Sequence, residues 1–462
     1  MSNYKSQFPR LRRALISLRE TNEMTQLELY RRGWNKPDAT EASFVARIEG
    51  AGSITLDTLE KYHQVFECGP TLVRLYFDEI AAFELGRIAR IHGPRISFLG
   101  AFNYDLLVTR ASLNALLDAV AAAVTGRFEP NTERVVSWER IKLLLDLVLT
   151  GDVRYAHHVG GSAYNVSRAL NVLGDPTAFI GVVGDAREIP GLSLGDADPR
   201  MELYTSELSD PSGLRWAGRE KPGIAVAVEN EAADRGLEVW PGSNLHLADH
   251  LEHNRDKITS LIAETDILHL TSLAGSKCTT AVAQLLDHLE TEEVHPLISV
   301  DPGFIWASQA LRPSDTGETS PVTTILSHAD IIMVNDNELA ALTEPHVADG
   351  ADTETRLTAL HAHLPRKPQV VLLIKRGDRV LVRMDSETIE HRSETPVPNI
   401  EVVEDTGAGD FFAAGFLNHI DSRPLAQQNL DRAIQAGMAA ASIKLRNTVD
   451  SALQQLGHRG VR

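Results

Sequence analysis

Glu404-Asp405-Thr406-Gly407-Ala408-Gly409-Asp410, running on into the apolar, small-residue stretch Phe411-Phe412-Ala413-Ala414-Gly415-Phe416, decides how this chain is read. A Gly-Ala-Gly turn entering a helix leaves its first backbone N–H groups without intrahelical partners and pointing one way. Those donors and the helix dipole favour an anion. Asp410 closes the turn. A carboxylate beside an anion cradle is out of place electrostatically, unless it takes a proton from a hydroxyl that attacks the anion. That is the arrangement needed for phosphoryl transfer to an alcohol. The structural alternative is a helix cap, because Thr or Asp before a helix with Gly in the turn is a common N-terminus.

From Pro94 onward, short apolar runs alternate with helical stretches. The runs are Ile96–Gly100, Ala178–Val183, Ile224–Val228, Ile267–Leu270, Leu297–Val300, Ile331–Val334 and Val370–Ile374. Short buried strands alternating with helices predict an α/β fold with a mostly parallel sheet covered on both faces. Ligands of such sheets bind at the carboxyl ends of the strands. Asp105, Asp301, Asn335 with Glu338, and Lys375 fall at the expected ends.

A second motif is His158-Val159-Gly160-Gly161-Ser162-Ala163-Tyr164-Asn165-Val166-Ser167. A Gly-Gly pair lets a ligand approach the backbone closely, and Asn165 offers both a donor and an acceptor to a polyol. A plain Gly-rich turn before a helix is the alternative. His157 and His158 are adjacent on an expected strand and so point to opposite faces, which argues against joint metal ligation.

The 462 residues suffice for two or three domains. No run of about 18 apolar residues is present, so no membrane partner is expected. The first residues lack the apolar core of a signal peptide. With only Cys68 and Cys278, no disulfide framework or Cys-based zinc site is indicated, and a cytoplasmic location is expected. Residues 1–92 hold 13 basic and 12 acidic side chains, a net +1, so with −18 for the whole chain the remainder carries −19. That excludes a chain binding nucleic acid throughout and suggests a division into residues 1–92 and 93–462.

The first ninety residues read as short helices, with Leu11, Leu15 and Leu18 at helical spacing. Thr25 with Glu28 three places on forms a capping box for a second helix that Gly33 ends. Further segments run from Thr40 to Gly50 and onward from Ser53. The order Thr25-Gln26-x-x-Leu29, then Phe44-Val45-x-Arg47-Ile48-Glu49, resembles the Cro/repressor-like (Xre-type) helix-turn-helix family over about residues 8–70. The resemblance implies an all-α domain that binds double-stranded DNA through Gln26, Ser43 and Arg47. Trp34–Ala39 is longer than the family's tight turn, and Glu41 sets a negative charge beside the expected groove. A helical packing or dimer module is the alternative.

Taken together, Gly160–Gly184, the Gly-Ala-Gly-Asp of Gly407–Asp410 and the roughly 250 residues between them resemble the ribokinase (PfkB) family of carbohydrate and nucleoside kinases over about 94–450. Gly100–Asp105 resembles its first-strand segment, Gly242-Ser243-Asn244 the Gly-Ala-Asn after the lid strands, Asn335–Glu338 its Asn-x-x-Glu, and Lys375-Arg376-Gly377 its nucleotide-binding strand end. The resemblance implies a doubly wound, mostly parallel sheet with a small β lid at about 222–244. It implies ATP and magnesium, a sugar or nucleoside acceptor, and a homodimer. Asp410 would be the base, with Gly407, Ala408 and Gly409 holding the γ-phosphate. Asp105, Asn103, Gly160, Gly161 and Asn165 would hold the acceptor. Asn335 and Glu338 would act on magnesium through water, and Lys375, Gly377 and Gly437 would line the nucleotide. Three departures stand out: Glu404-Asp405-Thr406 before the turn, Val380 in place of a glycine, and a long segment from Arg110 to Tyr155. The last carries two helical patterns, Leu113–Val124 and Trp138–Leu149. The alternative function is a DNA-binding regulator whose kinase-like domain senses a sugar or nucleoside.

Overall fold

The computed structural model describes residues 25–33, 61–62, 65, 95–108, 133–150, 155–185, 188–189, 208, 210–217, 220–229, 235–309, 319–375, 379–384, 387–392, 407–420, 425 and 427–459. The chain divides into two compact units, Met1–His92 with Leu192–Ser209, and Gly93–Gly191 with Asp210–Arg462.

In the first unit, helix α1 spans Gln26–Gly33. The expected capping box is present. The Thr25 backbone N–H donates to Glu28 Oε2 at 2.8 Å, and the Glu28 N–H donates to Thr25 Oγ1 at 3.2 Å. Two of the donors a helix start leaves bare are thereby paired. Ser43 and Arg47 lie outside the described residues.

The second unit is built on two sheets. The large one uses β1 (Ile96–Leu99), β5 (Thr177–Val183), β6 (Leu214–Trp216), β9 (Ile267–Thr271), β10 (Leu297–Asp301), β11 (Ile331–Val334), β12 (Val370–Lys375), β13 (Arg379–Met384) and β14 (Glu387–Arg392). Among the described residues its order is β14-β13-β12-β11-β10-β9-β1-β5-β6. Pairing is parallel from β6 to β12 and antiparallel for β13 and β14. The expected apolar runs are its central strands. Every residue of β1, β5, β9 and β11 is buried, as a sheet covered on both faces requires.

The second sheet holds β2 (Asn103–Val108), β3 (Glu133–Val135), β4 (Tyr155–Gly160), β7 (Gly223–Glu229) and β8 (Arg235–Trp240), in the order β3-β8-β7-β2-β4. The run Ile224–Val228, which the family resemblance makes a strand of the small lid, lies in this sheet as β7. The sheet also reaches beyond 222–244, because the chain leaves the large sheet at Leu99 and starts a new strand at Asn103.

The helices are α2 (Trp138–Thr150), α3 (Ser162–Leu173), α4 (Leu247–His253), α5 (Arg255–Ala263), α6 (Ser276–Thr291), α7 (Gly303–Ala307), α8 (Pro321–His328), α9 (Asp336–Thr343), α10 (Thr353–His363), α11 (Ala408–Asn418), α12 (Gln427–Leu445) and α13 (Val449–Arg459). Leu251, Ile258, Val282, Leu286, Trp306 and Ile325 pack with Leu268, Val300, Ile332 and Leu373 of the sheet in one apolar core. Each such side chain, fully buried, contributes about 1.5–3 kcal/mol. Among the described residues no helix is long and apolar enough to cross a membrane.

The long segment between β2 and β4 thus supplies an edge strand and a covering helix. Trp138 of α2 lies against Trp240, ring centroids 4.7 Å apart. Arg140 Nε donates to Glu238 Oε2 at 2.6 Å. The α2 face of the sheet carries Glu238 with its cross-strand partners Val226 and Leu106. Residues one step along each strand turn to the opposite face. Asp105, Ala225, Val239 and Glu133 therefore share the side away from α2.

Candidate active site

The junctions between the two sheets are made of glycine and asparagine. A Cβ on Gly100 would lie 2.4 Å from Thr271 Oγ1 and 2.5 Å from the Ala163 methyl, so the first turn admits no side chain. Gly161 has φ +101°, and a Cβ there would meet the Ala101 carbonyl oxygen at 2.3 Å. Only glycine tolerates both constraints. Asn244 clamps the turn from outside, accepting from the Phe102 N–H at 3.0 Å and donating to Asn103 Oδ1 at 2.9 Å. Asn103, expected among the acceptor contacts, is buried with its side-chain oxygen committed to this clamp. It builds the junction.

Asp105 was expected at a strand end. It sits inside β2, paired with His158 across to β4. Its Oδ2 lies 3.7 Å from His158 Nε2. A Cβ on Gly160 would come within 2.0 Å of that oxygen, so the glycine leaves room for the carboxylate to lie against β4. His157 faces the other way and stacks on Tyr104 at 5.7 Å.

The Gly-Ala-Gly turn forms the start of α11 as read from sequence. Gly407 is the N-cap, left-handed at φ 82°, and being glycine it brings no capping side chain of its own. Among the described residues, a Cβ on Gly409 would meet nothing within 4 Å, so none of them fills the space in front of the turn. Asp410 lies in the first helical turn. Its Oδ1 accepts from Ser162 Oγ at 2.6 Å and its Oδ2 accepts from Asn165 Nδ2 at 2.8 Å. Ser162 and Asn165 are three apart on α3 and share one face. The two sequence motifs therefore meet at one carboxylate. Ser162 was not singled out from sequence, although its spacing from Asn165 was the available signal. Asn165 is 5% exposed, and its Oδ1 has no hydrogen-bond partner.

Asp301 ends β10 as expected, and its Oδ1 accepts from the Gly303 N–H at 3.0 Å. Burial first, then the charges of Asp410 and Glu133, pushes its carboxyl up to about 7. Asn335 and Glu338 follow β11 and form a reciprocal capping box on α9. The Asn335 N–H donates to Glu338 Oε2 at 2.8 Å, and the Glu338 N–H donates to Asn335 Oδ1 at 3.0 Å. Loss of solvation is the main cause, and the charges of Asp301 and Glu133 a further one, that raises Glu338 to about 8. Glu133 comes from β3, with Oε2 3.8 Å from the Cβ position of Gly303. Nothing in its local pattern marked it in the sequence.

Of the residues expected to line the nucleotide, Lys375 ends β12, while Gly377 lies outside the described residues. Val380 is buried in β13 opposite Ile374. Gly437, expected to line the nucleotide, lies in a helix crossing, where a Cβ would be 2.9 Å from the Phe412 ring. Among the described residues, no group of three His, Cys, Asp or Glu side chains is arranged to ligate a metal directly.

The model of the pfkB family of carbohydrate kinases matches residues 203–453, more than half of the chain. The chain belongs to that family. Probable fructokinase-7 of Arabidopsis thaliana is 27% identical over 267 residues, 57% of this chain and 70% of that protein. Adenosine kinase of Schizosaccharomyces pombe is 21% identical over 291 residues, 61% of this chain and 78% of that protein. The structure of adenosine kinase from Schistosoma mansoni in complex with 2-fluoroadenosine superposes with a TM-score of 0.57 at 16% identity, covering 77% of this chain and 96% of that one. Ribokinase from Giardia lamblia gives 0.56 at 16% identity, covering 79% and 99%. The fold of the second unit is therefore ribokinase-like. This pfkB kinase is a phosphotransferase with an alcohol group as acceptor.

Proposed function

We propose that the pfkB unit transfers the γ-phosphate of ATP to a sugar or nucleoside hydroxyl, with Asp410 as the base. The observation that supports this reading most is the carboxylate itself. Asp410 sits in the first turn of a helix whose N-cap is the left-handed Gly407, and it is aimed by two donors from a facing helix. The two hydrogen bonds hold the carboxylate oriented toward the facing helix. It takes the acceptor's hydroxyl proton as the new O–P bond forms. The bond from the γ-phosphorus to the bridging oxygen breaks, and ADP leaves with the electron pair. The N–H groups of Gly407, Ala408 and Gly409 face the charge that develops on the transferred group.

The acceptor side is Asp105 over Gly160, with Asn165. The latter holds the base through its nitrogen and keeps a buried oxygen for a substrate hydroxyl. Exchanging the two atoms would set that oxygen against the carboxylate, so the orientation is fixed by Asp410. Asp301, Glu338 and Glu133 crowd negative charge at one edge, and their raised carboxyls fit a hydrated magnesium ion, which would neutralise phosphate charge. Lys375, Gly377 and Gly437 remain proposed for the nucleotide side. ADP release over a panel of sugars and nucleosides tests the reading. Turnover with at least one acceptor is expected, and none with any of them would overturn it.

We propose further that residues 1–92 bind double-stranded DNA. The capped start of α1, which sets Gln26 at the first helical position, supports this. Salt-dependent retention of duplex DNA by the full chain is expected. No retention at low salt would leave a packing module.

A further inference from the structure

Lys444 is fully buried, an unusual place for an ammonium group. It lies two helical turns after Gly437, on the face of α12 that meets α11. The crossing is tight because its residues are small. A Cβ on Gly415 would be 2.5 Å from the Ala436 carbonyl oxygen, and one on Gly437 would strike Phe412. These contacts run antiparallel, so the carboxyl end of α12 arrives at the amino end of α11. There, Lys444 Cε lies 3.6 Å from the Cβ position of Gly407, and Asp410 Oδ2 lies 3.5 Å from the same point. Lys444 Nζ donates to the Asn447 carbonyl oxygen at 3.3 Å, just past the end of α12.

The packing creates an electrostatic problem. The carboxyl end of a helix carries about half a negative charge. Set against the turn of Gly407, it opposes any anion bound there. An ammonium group at that end offsets the negative helix end, and burial keeps solvent from screening it. The common reading of a lysine in a last helical turn is dipole compensation at the surface. A surface charge would need no burial.

We propose that Lys444 is a positioning residue that places a fixed positive charge behind the Gly407–Gly409 turn and holds that turn ready for the transferred phosphoryl group. The proposal rests on the kinase reading given above and adds a residue that neither motif contains.

The test uses the full chain with MgATP, and fructose and adenosine as acceptors. Lys444→Met keeps the length of the side chain and removes the charge. The expected result is a kcat about tenfold or more below wild type, short of the ~10²–10³ for a donor touching the oxyanion. Acceptor KM should change less than about threefold. A kcat per folded molecule within about twofold of wild type would make the lysine a packing residue and overturn the proposal. Should the variant not fold, wild-type protein decides. The slowly exchanging Nζ signal of a buried ammonium should shift on adding MgADP with tetrafluoroaluminate, a mimic of the transferred group. An unmoved signal would overturn the proposal. A wild type idle with both acceptors whose Nζ signal still shifts would fail the acceptor class and support the lysine.

Discussion

Gly160 and Gly161 are neighbours with different work, and substitution separates them. At Gly160 the three nearest atoms to an added methyl are those of the Asp105 carboxyl, the first 2.0 Å away. That carboxylate swings aside at little cost in stability. Gly160→Ala is expected to raise acceptor KM about tenfold or more, the effect of one lost hydrogen bond to a charged group, with the thermal midpoint nearly unchanged. At Gly161 the obstacle is the Ala101 backbone and φ is +101°. Gly161→Ala is expected to destabilise by at least about 1–3 kcal/mol from the backbone conformation alone, read as a fall in the thermal midpoint. Equal losses of stability in the two variants would contradict this division. The Gly-Gly pair was legible in the sequence as a close approach. Which glycine serves the ligand and which the fold was not, because that depends on Asp105 and Ala101 lying across a sheet junction.

At the scale of elements, the segment joining β2 to β4 is tied down by α2. Glu238 is almost fully buried, and Arg140 reaches it from the helix. Removing one partner of a buried pair strands the other charge, at a cost of about 3–5 kcal/mol. Arg140→Met is expected to lose a stability of that order in denaturant titration, while Arg140→Met with Glu238→Leu recovers most of it. A single variant as stable as wild type would show that the pair is not holding the helix. Sequence pattern anticipated β1, β5 and β9 to β12 of the large sheet because each is a short apolar run with Gly or polar residues at its ends, as in Ile331–Val334 before Asn335, whereas the edge strands β6, β13 and β14, mixed polar and apolar, were not read. It anticipated α2 from helical spacing. It did not anticipate that Asp105 lies within a strand. Gly100-Ala101-Phe102 reads as the end of one strand, and the switch to a second sheet is set by Asn244, more than a hundred residues on. Glu133 was hidden for a similar reason, since only the pairing of β3 with β8 turns it toward Asp301.

For the whole molecule, the crowding of Asp301, Glu338 and Glu133 couples stability to pH. Asp301 and Glu338 hold their protons to about 7 and about 8, above the ordinary 3.8 and 4.5. The folded state therefore binds more protons than the unfolded one in that window, and stability falls as pH rises through it. The ligand-free protein is expected to lose thermal midpoint between about pH 5 and pH 8. Asp301→Asn should flatten that fall, as should magnesium, which favours the ionised carboxylates. A midpoint that rises over the same range would contradict the raised carboxyls.

The central claim is that Asp410, aimed by Ser162 and Asn165, takes the acceptor's proton while the turn before it holds the phosphoryl group. Its most direct test is Asp410→Asn, a nearly isosteric change, assayed for turnover and for MgATP binding on the same preparation. The account predicts a kcat lower by about 10²–10⁴, the usual contribution of a general base, with nucleotide affinity kept or strengthened. A variant that binds MgATP as wild type does and turns over within about threefold of it would contradict the account.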